Sequence, residues 1–249
     1  MLTVPSKDMR SEIELIERAR WKHLLVSSED VTAAGISPAR WQRWQDANRW
    51  IQVTPNHFRH TATTLTFEMT VQAGAAWLAG RGGLHAASAL FWLDVEIPEP
   101  QRAEFIVARS QRSVPNWIPI HTSSSLREDE IIRHRGIRTT TATRALLDYA
   151  AVGVTASELE QAIDSAIRRR RTALPRLRKS LADVGGRGRA GTRLMRELLL
   201  DSGGESHLER RFLRLLRDLR IPRPHTPRWS SEGLRKPLLV STSTSQART

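Results

Sequence analysis

The chain has 249 residues, 39% of them apolar and 26% charged, with no cysteine. That is enough apolar material for a core, so wholesale disorder is excluded, as are disulfides, zinc–thiolate sites and cysteine nucleophiles. Lys plus Arg is 39 against 26 Asp plus Glu, a net charge of +13 that points to a polyanionic partner, nucleic acid being the commonest.

The N-terminal stretch turns acidic almost at once, unlike a secretory signal, and no apolar run reaches the roughly 18 residues of a membrane helix. A cytoplasmic protein with no membrane partner is expected. Residues 9–26 carry Ile13, Ile16, Trp21, Leu24 and Leu25 with early acids, which predicts an amphipathic helix. A short helix over 28–34 follows, with Ser28 as its expected cap. Ser37-Pro38 then opens a helix that stops near Asn48, with a hydroxyl cap and proline in the first turn. The next stretch, RWIQVTPNHFRH, alternates around Pro55-Asn56 and reads as a hairpin, or wing.

Helix, short helix, helix and hairpin within residues 9–62 is the layout of a winged helix-turn-helix. On its third helix Trp41, Trp44 and Asn48 share one face, expected to be core. Gln42 and Arg43 share another, which becomes the reading face: Arg bonds guanine and Gln bonds adenine in bidentate fashion. Ser37 and Arg40 join that face, and Arg49, His57 and Arg59 are candidate phosphate contacts.

Residues 64–80 and 84–93 predict two helices parted by the breaker Arg81-Gly82-Gly83, and His85 reads as a helix-start or packing histidine. Strands are expected within 104–108, 117–121 and near Ile131 and Ile137. Thr140 or Thr141 then caps a helix bearing the i,i+4 pair Arg144 and Asp148. The whole of 63–153 reads as a small α+β unit. Residues 154–200 predict a helical connector, with Arg168–Arg171 placed to complement a helix end. The Gly-Arg run at 185–191 is a basic linker without the Lys-Ser/Thr ending of a phosphate loop. Residues 168–223 hold 17 Lys and Arg against six acids, so nearly all the excess charge lies there.

Five segments in order carry a resemblance: VSSEDVTAAGISPARWQRW, RGGLHAASALFWL, GIRTTTATRALLDYA, GGRGRAGTRLMRELL and GESHLERRFLRLLRDLRIPRP. Together they resemble proteins with an AbiEi-like antitoxin winged helix at the N-terminus. The C-terminal part resembles a very-short-patch-repair endonuclease of the PD-(D/E)XK class. The resemblance implies a DNA-binding repressor of its own operon, countering a nucleotidyltransferase-like toxin without needing to touch it. It also implies that Glu209 matches the acid on the first helix of the nuclease unit. A Mg²⁺ site needs further strand-borne acids. Beyond Glu209 only Asp218, still on the same helix, and Glu232, in a Ser/Thr/Pro-rich tail, remain. Residues 201–249 therefore read as a truncated nuclease-like helix plus a disordered tail, with Glu209 vestigial.

The eight histidines show no metal-ligand spacing, and no nucleophile elbow occurs. The expectation is an α+β, mostly helical protein with no cofactor, metal or catalytic residues. It would bind double-stranded DNA, and a homodimer is one arrangement that would read paired half-sites, although no dimer surface is identified by the sequence. Two alternatives stay open: a degenerate endonuclease inactive alone, and a protein-interaction module without a DNA role.

Overall fold

A computed structural model describes residues 7–20, 23–109, 117–184 and 190–200, with Leu216, Leu219 and Ile221. The protein is α+β with helices dominant. The expected linker core at 185–189, nuclease-like helix, Glu209 and tail lie outside these residues.

The head runs α1 (Lys7–Ala19), β1 (Leu25–Ser27), α2 (Ser28–Ala33), α3 (Pro38–Asp46), β2 (Trp50–Thr54) and β3 (His57–His60). Its sheet has the order β1-β3-β2, antiparallel throughout. This is the winged arrangement, with one correction to the first helix. The chain does not continue helically to residue 26. His23 and Leu24 both take positive φ, 53° and 58°, and Leu25–Ser27 then pair with His57–Arg59. Burying both Leu25 and Val26 in a strand outweighs extending the helix. The cap of α2 also moves, from Ser28 to Ser27. Ser27 Oγ accepts from Asp30 N, and the Asp30 carboxylate accepts from Ser27 N, a reciprocal capping box. Ser37 caps α3 with Pro38 at its start, as the sequence predicts.

Aromatic side chains fill the head. Trp41 meets Phe58 edge-on at 5.0 Å between centroids and Trp50 at 5.5 Å, and Leu15, Val26 and Val31 close the cluster. Such pairs add about 0.5–1.5 kcal/mol each beyond burial. The tryptophan face of α3 is thus its core face, which leaves the opposite face in solvent; Asn48, expected with the tryptophans, instead lies past the helix end with φ of 53° and is exposed.

The second unit begins with α4 (Phe67–Leu78), followed by β4 (Gly82–Leu84), α5 (Ala86–Trp92), β5 (Phe105–Ala108) and β6 (Ile120–Ser123). A 3-10 turn at Glu128–Glu130 leads to β7 (Ile131–His134), β8 (Ile137–Thr140) and α6 (Ala142–Ala151). The strand order is β6-β5-β4-β8-β7. Gly82 and Gly83, expected to break two helices apart, are instead the middle of the sheet. A Cβ on Gly82 would stand 2.2 Å from the Ile106 carbonyl oxygen, so the β4–β5 approach requires glycine there. Thr141 caps α6.

The helices α7 (Ala156–Arg168), α8 (Leu174–Val184) and α9 (Thr192–Leu200) occupy the stretch expected to be a connector. Leu159, Ile163, Leu177, Met195 and Leu198 instead share one core with Leu90, Phe105 and Leu146. A smaller apolar seam joins this unit to the head: Met69 and Ala73 of α4 pack with Leu25, flanked by Leu24 and Val53. No helix among the described residues is long and apolar enough to cross a membrane.

Candidate nucleic-acid interface

The seven candidate contact residues fall into two groups. Gln42 and Arg43 are exposed on α3, and Arg43 meets no carboxylate among the described residues. The Gln42 amide donates to Asp46 Oδ1 at 2.9 Å, an i,i+4 bond along the exposed face. That bond restrains Gln42 to one direction and sets an acid beside the reading face.

The remaining five are more occupied than their spacing implies. Ser37 Oγ accepts from Arg40 N at 3.4 Å as the helix cap. Arg40 is half-buried, with Nη1 donating to Ser11 Oγ of α1 at 3.4 Å. Arg49 pairs with the carboxylate of Glu12, and its guanidinium lies 5.3 Å from the Trp44 ring centre. His57 Nδ1 is 3.1 Å from Thr54 Oγ1, and its ring lines a cleft of about 330 Å³ between the wing and α4. Arg59 sits on β3, flanked by strands on both sides, and donates to the Thr63 and His60 carbonyls. Arg49 and Arg59 therefore spend donors on the head itself.

Glu12 is the organising residue that pattern reading misses. It is 6% exposed, on the inner face of α1. Its oxygens take the Arg49 guanidinium and the Trp50 indole N–H at 3.2 Å, with His60 Nε2 at 3.4 Å. This one carboxylate ties the first helix to both wing strands. Its signal in the sequence is an acid three, four and seven residues before Leu15, Ile16 and Ala19, on the apolar face of α1, whereas Ile13, expected on that face, is exposed. His60 is held below the ordinary imidazole range by burial first and by the charge of Arg49 second.

Four arginines toward the C-terminal side pair with carboxylates within the fold. Arg168 and Arg169 pair with Glu96 at 2.5 and 3.0 Å, Arg171 with Asp94 at 2.9 Å, and Arg193 with Glu197 at 2.9 Å. The Arg144–Asp148 pair expected on α6 forms, and it is buried. Arg144 Nε donates to Asp148 Oδ2 at 2.8 Å and Nη1 to Glu130 Oε2 at 3.0 Å. Burial alone would raise the Asp148 pKa; the His85 imidazole, its Nδ1 3.3 Å from Oδ2, and the charge and hydrogen bond of Arg144 outweigh it and hold the carboxyl below its usual value. His85 is a buried histidine at the start of α5, its ring tilted at 40° against that of His121 with 4.4 Å between ring centres. Among the described residues no group of three or more His, Asp or Glu side chains is arranged to hold a metal ion.

No family model matches the chain, and no curated protein matches it.

Proposed function

We propose that the chain is a DNA-binding transcriptional regulator of the AbiEi antitoxin type, acting without catalysis to repress its own operon. The observation that carries this reading is the polar face of α3. It presents Gln42 and Arg43 to solvent while Trp41 and Trp44 lock the helix against a three-stranded wing. A helix so held fits the major groove, with its polar side toward base edges and the wing near the backbone. Double-stranded DNA is the partner, read by a homodimer on paired half-sites. A nucleotidyltransferase-like toxin, where the operon encodes one, is countered indirectly.

A gel shift with DNA from upstream of the chain's own gene tests this. Arg43→Ala is expected to weaken specific binding by about 1–3 kcal/mol, roughly 5- to 150-fold, and to relax preference at one base position. Equal affinity and equal sequence preference in both proteins would remove the reading face.

A further inference from the structure

Arg133 and Arg138 stand directly opposite one another in the β7–β8 ladder, so their side chains leave the same face of the sheet. Like charges in that position are destabilising unless something of opposite sign lies with them. Both line one small surface cavity of about 90 Å³, together with three glycines (Gly80, Gly82 and Gly136) and apolar side chains including Leu78, Phe105 and Ile137. That is room for a group of several heavy atoms, at about 30 Å³ per water in the liquid.

The counter-charge around this cavity is thin. Arg138 donates to the Gly82 carbonyl at 3.2 Å and to Glu128 at 2.6 Å, but that glutamate side chain is 81% exposed. Arg133 donates to the Gly136 carbonyl at 2.8 Å and meets no carboxylate among the described residues. Arg81, next to Gly80, donates to the Leu78 and Trp77 carbonyls. Gly80 and Gly136 sit at turns with φ of 82° and 78°, and a Cβ on either would meet nothing within 4 Å. The main chain at the rim is therefore open to close approach. Guanidinium forks beside open backbone match the planar, bidentate recognition of phosphate oxygens.

We propose that this cavity binds a phosphate group, and that in the DNA complex the group is a backbone phosphodiester held from the second unit while the head reads bases. The site stands on its own geometry; the identity of the phosphate's carrier rests on the regulator reading.

The full chain and its Arg133→Gln/Arg138→Gln variant are melted in inorganic phosphate and in chloride at equal ionic strength. They are also titrated with operon DNA across a salt series. The native chain gains more stability from phosphate than the variant, which keeps only the general effect of an excluded salt. The variant also binds DNA with a log K against log salt slope shallower by about one, its sequence preference unchanged. Equal phosphate shifts together with equal slopes overturn the proposal. A phosphate shift lost in the variant, with no DNA binding by the native chain, supports the site and sinks the regulator reading. A lost shift with DNA bound at an unchanged slope assigns the site to a free phosphate compound and overturns its DNA role. Arg133→Gln alone guards against misfolding, because the bond it loses goes to a turn carbonyl. Its melting point in chloride is expected not to fall, since a like-charge pair is relieved.

Discussion

In the head, residues 7–60, a few large aromatic rings fill the interior, and the buried carboxylate of Glu12 shares their edge with Arg49 and His60. The second unit packs leucines, alanines and a sheet around a buried ion cluster of Arg144, Glu130 and Asp148. A small domain buries a low fraction of its surface, so it depends on large side chains and on ties between its first helix and its wing. A larger one has enough apolar area to hold charges out of water, provided each is paired. The head is thus the part whose order depends most on individual side chains, and it also carries the proposed reading face.

The sharpest way to break this contrast is Arg144→Leu. It leaves Glu130 and Asp148 buried without their guanidinium and is expected to destabilise the second unit by about 3–5 kcal/mol. Hydrogen exchange of α6 and wing amides, measured side by side, checks it. Loss of protection in α6 with the wing unchanged is expected; equal losses would mean that the seam at Met69 and Ala73 makes the two cores one cooperative unit.

Next in size is Thr155→Ala, which removes the capping box of α7. Thr155 Oγ accepts from Glu158 N at 3.3 Å, while Glu158 accepts from Thr155 N at 2.8 Å. A loss of about 1 kcal/mol in urea unfolding is expected. A loss near zero would show that α7 is held by its packing on the shared core alone.

The smallest effect is a pH dependence confined to the head. The folded state favours neutral His60, so this residue adds stability above pH 6.5 that is lost as pH falls through its lowered folded value. Between pH 7.5 and 5.5 the melting point of the native head should fall further than that of His60→Gln. Parallel curves would place the acid sensitivity elsewhere.

Local chemistry made much of this fold legible. The Ser37 and Thr141 caps, the Pro55-Asn56 hairpin turn, the tryptophan face of α3 and the Arg144–Asp148 spacing all follow from neighbours within a few residues. What escaped depends on distant parts of the chain. Gly82-Gly83 looks like a breaker until β5 arrives to use the space a Cβ would take. Leu24 to Val26 look helical until β3 offers them a partner. The helices after residue 154 look like a connector because their apolar faces do not reveal which core receives them. At the candidate interface, exposure of Gln42 and Arg43 was readable from helix periodicity. The engagement of Arg49 with Glu12, 37 residues away, was not. Nor was the facing of Arg133 by Arg138, since cross-strand register is set by a turn and a sheet rather than by spacing alone.

Helix α4 leaves the wing after six residues, packs its first half against β1 and β2, and ends at the turn whose glycine borders the arginine cavity. Its twelve residues make a rod about 18 Å long. On the regulator reading, that rod is a ruler. Pinned along its first half by the seam with the head, it carries the chain from the base-reading head to the second grip on the backbone. A grip so spaced would reward DNA of one curvature over another, making the length of a single helix a determinant of which operator shapes are accepted.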